Sequence, residues 1–207
     1  MTTATWLAFS IATLAATGSP GPNAMLVVRN TVRYGLYAAL FTVSGNLCSR
    51  FVMASGVMLG LSALLNASPW LVIGLRLAGA LYLIWLGIRA MRGQGPQAAV
   101  THVTPHVRQP CLRIFLEAAT VSLVNPNTLG FFAAAVPQLV DLHTPILPQL
   151  ATLIAIDTTV VLTVMSTYAF VTHAVHRRIT SHSRLMMIRR GGGAALVIVG
   201  LTMLPLR

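Results

Sequence analysis

The sequence contains few charged residues and no lysine. Only 8% of its 207 residues are charged, and three acids stand against 14 basic side chains, all of them arginine. An ordinary soluble domain carries about a quarter charged residues, so water is not the only solvent of this chain. The scarcity of acids also disfavours a site for hard metal cations, which bind carboxylate oxygens.

Cysteine is equally scarce. Cys48 lies inside one apolar stretch and Cys111 begins another, and no Cys-x-x-Cys pair occurs. Neither a structural disulfide nor a metal-thiolate site is expected, and a membrane thiol or electron carrier would need these two cysteines to meet. No nucleophile stands at a catalytic spacing from a base, so we predict no enzymatic activity and no cofactor.

Apolar residues, in contrast, make up 56% of the chain, and the mean hydropathy is +0.77. A helix needs about 20 apolar residues to span a bilayer. We therefore predict an all-α, polytopic membrane protein with six transmembrane helices joined by short polar links. The predicted segments are Trp6 to Val28, Gly35 to Leu65, Pro69 to Ile88, Leu112 to Pro137, Ile146 to Thr172 and Arg190 to Leu206.

The positions of the arginines predict the orientation. Eleven of them lie in or beside the links after the first, third and fifth segments, and the other links hold none. By the positive-inside rule these basic links are cytoplasmic, and both termini lie on the periplasmic side of a bacterial inner membrane. Anionic lipid headgroups explain the net charge of +11 without a nucleic-acid partner.

Two proline-asparagine pairs relate the halves of the chain. Pro22-Asn23 and Pro126-Asn127 are 104 residues apart, each within the first helix of a three-helix half. Because three is an odd number, the second half enters the membrane from the opposite side. Inverted repeats of this kind are typical of secondary transporters. We predict two inverted repeats with broken first helices, over 1–92 and 111–207, and a cytoplasmic connector over 93–110.

The two interruptions also predict a polar cavity. A proline within a helix removes a backbone donor, and lipid tolerates unpaired backbone only beside protein or a water-filled cavity. Half-helix N-termini attract a carboxylate, while freed carbonyls and asparagine amides bind an ammonium group. The alternative is a pair of structural kinks. The candidate substrate-binding residues are Pro20, Gly21, Pro22, Asn23, Asn125, Pro126 and Asn127.

Ionisable residues inside apolar segments form a second group of candidates. Arg50 and Asp157 occupy equivalent places in the two halves, so we expect them to approach each other as a gating or coupling pair. Asp157 would carry a coupling proton if burial favours its protonated form; a static ion pair is the alternative. Glu117 follows Arg113 by four residues, which predicts an intrahelical pair.

Three groups of residues, in this order, carry a family resemblance. They are Ser19-Pro-Gly-Pro-Asn23 with Arg29, Gly35 and Gly45; Leu77-Ala-Gly-Ala-Leu-Tyr-Leu-Ile-Trp-Leu-Gly87; and Asn125-Pro-Asn127 with Phe131, Phe132 and Pro137-Gln138. The combination resembles the LysE/RhtB amino-acid exporter family over nearly the whole chain. The resemblance implies export of amino acids or their derivatives, driven by the proton gradient.

The chain departs from that family at two places. Asn127 stands where the family often has lysine, and Ser49 and Arg50 replace a glycine that an acid often follows. A less positively charged site favours small neutral amino acids, or homoserine and its lactone. Export of another small solute or a metal cation stays open as an alternative. The expected partners are an amino-acid-like substrate, a proton and the lipid bilayer, and a homo-oligomer is compatible with the size of the chain.

Overall fold

The structure, a computed structural model, describes residues 3–67, 69–92, 109–141 and 144–174 and the isolated positions 194, 197, 198 and 201. This part of the chain contains seven α-helices and no strand. The helices are α1 (Thr3–Gly18), α2 (Pro22–Tyr34), α3 (Leu36–Ala67), α4 (Pro69–Met91), α5 (Cys111–Val124), α6 (Pro126–Leu139) and α7 (Ile146–Ala174).

The all-α prediction is confirmed for these residues, and the first and fourth predicted segments each prove to be two helices. Pro22 and Pro126 do not kink a continuous helix; each stands in the first turn of a new one. Proline is favoured there because its missing N–H has no intrahelical partner to lose. The predicted sixth segment, 190–206, lies outside the described residues except for isolated positions, as does nearly all of the connector 93–110.

The distribution of polar and apolar side chains is that of a protein in lipid. Large apolar side chains are exposed on every described helix except α2, among them Leu7, Trp70 and Leu147. Several polar side chains, including Asn30, Asn46 and Ser122, are at most 2% exposed. An apolar exterior around a partly polar interior is expected where the surrounding solvent is hydrocarbon.

Membrane-spanning capacity can also be judged from length and hydropathy alone. Within the described ranges, α7 is long and apolar enough to cross a bilayer by itself, and α5 and α6 pass the same test together although their axes are bent by 58°. Two shorter apolar stretches, Thr5–Gly18 and Ile73–Leu86, accompany them. The arrangement of six spans in two inverted repeats stays a prediction.

Three pairs of helix contacts are related by an exchange between the two halves, whereas the contact of α2 with α3 has no counterpart between α6 and α7 in the described residues. The exchange replaces α1, α2 and α3 by α5, α6 and α7, and the reverse. Under it, the α3–α5 contact becomes the α7–α1 contact, the α2–α7 contact becomes the α6–α3 contact, and the α2–α5 contact becomes the α6–α1 contact. The halves are thus interleaved, and the ends of the broken helices lie inside the bundle.

Two apolar clusters surround the inner ends of the broken helices. In one, Phe9 of α1 stacks on Phe131 of α6 with ring centroids 6.0 Å apart. In the other, Val27 of α2 packs with Val43 of α3 and Val161 of α7. Gly35, at φ +85°, forms the one-residue turn from α2 into α3, a left-handed conformation that favours glycine.

Two glycines allow helices to approach closely. A Cβ at Gly45 of α3 would meet the carbonyl oxygen of Phe115 of α5 and would lie 3.1 Å from the Cβ of Ala118. A Cβ at Gly79 of α4 would lie 2.7 Å from the carbonyl oxygen of Ala134 of α6. Small residues perform this role at helix interfaces in membranes.

We expect Gly45→Ala to lower the free energy of unfolding by about 1–3 kcal/mol, the usual cost of overpacking. The added methyl group must push α5 away from α3, because the atom it meets is backbone. Gly56→Ala, in the same helix, is the matched control, since nothing lies within 4 Å of its added Cβ. Thermal unfolding in detergent measures both; equal midpoints would contradict the close approach.

Candidate functional site

The first helix interruption leaves backbone donors uncapped. Gly21, the N-cap of α2, has an extended conformation and no side chain, and no side-chain hydrogen bond caps the helix. The first N–H groups of a helix have no intrahelical acceptor, and they add to the positive end of the helix dipole. The buried Pro20 precedes this end and Pro22 opens the helix. The start of α2 can therefore receive an anionic group.

The second interruption is capped from within. Asn125 ends α5 and begins α6, and its side-chain Oδ1 accepts a hydrogen bond of 3.1 Å from the N–H of Asn127. The Pro126 carbonyl accepts a hydrogen bond of 3.0 Å from the hydroxyl of Tyr82 on α4. The sequence assigned Asn125 to substrate binding, but its side-chain oxygen is already engaged in holding the break together.

The two interruptions meet through the side chain of Asn23. Its Nδ2 donates to the hydroxyl of Ser122 on α5 over 3.4 Å and to that of Thr128 on α6 over 3.3 Å. Ser122 in turn donates to Oδ1 of Asn46 on α3 over 3.3 Å. Four helices thus share one buried polar cluster, which we call the central cluster, formed by Asn23, Asn46, Ser122 and Thr128.

Two asparagine oxygens beside this cluster have no hydrogen-bond donor. Oδ1 of Asn23 and Oδ1 of Asn127 are both buried and unpaired. A buried polar atom without a partner costs roughly 1–3 kcal/mol, so such atoms are rare in native structures, and a water, an ion or a ligand group can supply the missing bond. Both atoms are acceptors, and the group they lack is a donor such as an ammonium.

Arg50 and Asp157, expected from the sequence to approach each other, form a bidentate ion pair between α3 and α7. Nε of Arg50 lies 2.8 Å from Oδ2 of Asp157, and the second guanidinium nitrogen lies 2.5 Å from Oδ1. Both side chains are buried, and the guanidinium carbon lies 4.9 Å from the centre of the Phe132 ring. Arg50 follows Asn46 by one helical turn, so the pair lies directly beyond the central cluster on the same face of α3.

Glu117 has a different partner from the one that the sequence predicts. Its carboxylate accepts a hydrogen bond of 2.5 Å from Arg29 of α2, instead of pairing with Arg113 on its own helix. The predicted order, arginine before acid, is the less favourable one for an intrahelical pair, and the packing of α2 on α5 supplies a closer guanidinium. Arg29 also donates to Oδ1 of Asn30.

The central cluster is closed in this conformation. Asn23, Asn125 and Thr128 are each between 6% and 8% exposed, so these side chains are shielded from solvent, and the polar cavity that the sequence predicts at the interruptions stays a prediction. A cavity of about 530 Å³ lies elsewhere, on the outer face of α5 beside Arg113 and Glu117. It does not include any residue of the interruptions.

Sequence reasoning missed the hydroxyl and amide groups that join the two interruptions. Asn46, Ser122 and Thr128 have no distinctive motif, and their only signal is that polar side chains stand inside apolar segments. Hydroxyls in membrane helices often bind their own backbone, so this signal does not by itself indicate a site.

Comparison with known proteins assigns the chain to a group of transporters. The family described as LysE type translocator matches residues 14–206. A homoserine/homoserine lactone efflux protein of Salmonella typhimurium strain LT2 is 29% identical over 203 residues, which cover 97% of this chain and 96% of that protein.

Further relatives match over shorter stretches. A threonine efflux protein of Escherichia coli strain K12 is 31% identical over 117 residues, covering 56% of this chain and 57% of that protein. An uncharacterized membrane protein of Bacillus subtilis strain 168 is 27% identical over 145 residues, covering 67% and 69% of the two chains. No solved structure matches this chain.

We expect Asp157→Asn to lower the free energy of unfolding by about 3–5 kcal/mol, because it leaves the Arg50 guanidinium buried without a counter-charge. Glu117→Gln is the matched control, since the pair it breaks is partly exposed, with side-chain exposures of 31% and 39%. Such a pair contributes about 0–1 kcal/mol. Thermal unfolding in detergent compares the two, and equal losses would contradict the central role of the buried pair.

Proposed function

This chain belongs to the LysE type translocator family, and we propose that it exports small neutral amino acids or their derivatives across the bacterial inner membrane, coupled to protons. One observation carries the proposal: the two helix interruptions meet through Asn23 inside the bundle, the start of α2 has no side-chain cap, and Oδ1 of Asn23 and of Asn127 are buried without a partner. A zwitterion presents the complementary pair of groups. Few other small solutes need both within one buried site.

Each charged group of an amino acid has a partner in this site. The uncapped N-terminus of α2 suits the carboxylate, because its free N–H groups and helix dipole favour negative charge. The unpaired Oδ1 atoms of Asn23 and Asn127 suit the ammonium group, which has three donors and no acceptor. Pro20, Gly21, Pro22, Asn125 and Pro126 hold the two backbone interruptions in shape around these atoms.

The identity of the substrate is narrowed by the relatives and by one side chain. The two named relatives are efflux proteins for homoserine or its lactone and for threonine, all compounds with small uncharged side chains. Asn127 is uncharged, so it offers no counter-ion to a charged substrate side chain. We therefore favour homoserine and threonine, which keep a free carboxylate, over lysine or arginine.

The Arg50–Asp157 pair is the element that we assign to coupling and gating. Of the three acids in the chain, Asp157 alone lies buried beside the central cluster. Protonation of its carboxylate would remove one charge of the pair and release the guanidinium, so that α3 and α7 can separate. A proton entering from outside would thus open the closed form. The guanidinium also opposes a metal cation at this site, which disfavours the alternative function.

The inverted repeat supplies the motion. The exchange of packing partners between the halves supports two equivalent three-helix units, 1–92 and 111–207 with the connector 93–110 between them, whose rocking would expose the central cluster to each side in turn. With both termini in the periplasm, the half-exposed Arg29–Glu117 pair would lie on the cytoplasmic side of the cluster. A homo-oligomer is compatible with this scheme but not required by it.

The proposal is tested by flux in proteoliposomes with an imposed pH gradient, using homoserine, threonine, alanine and lysine. We expect homoserine and threonine flux to rise with the gradient and lysine flux to stay at the level of empty vesicles. Asp157→Asn should abolish the response to the gradient, while Asp157→Glu, which keeps a carboxyl group, should retain part of it. Gradient-driven export at the wild-type rate by Asp157→Asn would remove Asp157 from coupling, and absence of flux for the whole panel would reject amino-acid export.

A second test separates binding from folding at the interruptions. Asn127→Leu removes an unpaired acceptor, so we expect an unchanged or higher unfolding temperature together with at least about a tenfold loss of export, equivalent to one lost charge-assisted hydrogen bond. Asn125→Ala removes a helix cap instead and should destabilise the protein by about 0.5–2 kcal/mol. Full export by Asn127→Leu would show that its side chain does not contact the substrate.

A further inference from the structure

Two threonine hydroxyls on α1 are buried without a hydrogen-bond partner. Thr13 is 0% exposed and Thr17 is 6% exposed, and neither Oγ1 makes a hydrogen bond. Both lie within α1, where the carbonyl four residues back offers an acceptor that a helical threonine commonly uses. Neither uses it.

Other hydroxyls in the same bundle make the backbone hydrogen bond that Thr13 and Thr17 lack. A series of serines and threonines donates to the carbonyl one turn back, at distances between 2.7 and 3.1 Å. They are Ser10, Thr31, Thr42, Ser49, Thr159 and Thr163. Because Ser10 lies on α1 itself, the helix does not prevent this bond. The Thr13 and Thr17 hydroxyls are therefore buried without the backbone bond that helical hydroxyls of this bundle commonly make.

The position of these hydroxyls follows from the packing of α1 on α6. Phe9, Thr13 and Thr17 are spaced by four residues and share one face of α1, and Phe9 stacks on Phe131 of α6. α1 ends and α6 begins where the interruptions meet, so the two helices run in opposite directions from that point. Thr13 lies one turn inward from the stacked rings and Thr17 lies next to Gly18, the last residue of α1, so the face leads to the first interruption.

We propose that Thr13 and Thr17 form the subsite for the substrate side chain and select amino acids that carry a hydroxyl group. This inference rests on the proposed export function and adds specificity-determining residues to it. A hydroxyl both donates and accepts, so a substrate hydroxyl can donate to one threonine and accept from the other. The two threonines are four residues apart, about 6 Å along the axis of α1, and Phe9, stacked on Phe131, lies one turn further out on the same face.

An apolar analogue of the same size meets a different site. It would leave both threonine hydroxyls unpaired in the loaded state, and a site built to hydrogen-bond a substrate group discriminates strongly against an analogue that lacks it. The subsite thus predicts a preference for homoserine over 2-aminobutyrate, which differs from it only by the hydroxyl. It predicts the same order for threonine over valine.

The experiment measures homoserine and 2-aminobutyrate flux in proteoliposomes containing the wild-type protein, Thr13→Val or Thr17→Val. We expect each substitution to lower the ratio of homoserine to 2-aminobutyrate flux about tenfold, while 2-aminobutyrate flux is retained or rises. Thr13→Ser, which keeps the hydroxyl, should preserve the ratio. Thr163→Val on α7, an exposed threonine bonded to its own helix, is the control and should change nothing.

The outcomes distinguish a failure of this inference from a failure of the proposed export function on which it rests. If the wild-type protein exports both compounds without preference, or if both valine variants keep the wild-type ratio, the subsite is rejected while amino-acid export stands. If the wild-type protein exports no amino acid, the proposed function itself fails. A valine variant that fails to insert is replaced by Thr13→Cys, whose weak donor should lower the ratio partially.

Discussion

The constraint on which the structure depends is that an interrupted backbone must find polar partners where lipid offers none. Asn23 meets this constraint directly, because its amide joins the start of α2 to hydroxyls at the end of α5 and the start of α6. Without that contact two helix ends would face an apolar interior. Asn46 and the Arg50–Asp157 pair continue the buried polar groups from this contact along α3. The apolar clusters around Phe9 and Val27 then exclude lipid and water from it.

The two ion pairs differ in burial, and therefore in the free energy needed to break them. Arg50 and Asp157 are buried, so their separation is costly and any event that neutralises one of them has a large effect on the packing of α3 and α7. Arg29 and Glu117 are half exposed, and their bond can break and form at little cost. In the proposed mechanism the buried pair holds α3 to α7 until protonation releases it, and the partly exposed pair breaks and forms by ordinary thermal motion.

The sequence predicts the parts of this arrangement that depend on local chemistry. Proline next to asparagine in an apolar segment indicates where a helix is interrupted, and a lone arginine and a lone aspartate in matched segments indicate a pair. Contacts that depend on how helices lie against each other are not predictable in this way. Glu117 chooses Arg29 over Arg113 because α2 lies on α5, and Thr13 becomes notable only when its hydroxyl is seen to avoid its own backbone.

The unpaired atoms give a reason why this protein would move its substrate and not simply bind it. In the closed form Asn23, Asn127, Thr13 and Thr17 each keep one polar atom without a partner, and this form is therefore costly when empty. A ligand that supplies the missing bonds stabilises the closed form relative to forms in which water reaches the site. Differential affinity for one conformation is what allows a ligand to shift a conformational equilibrium. In the proposed mechanism the loaded carrier passes through the closed form more readily than the empty one, and the selectivity of export is then set at this passage as well as at the first encounter with the substrate.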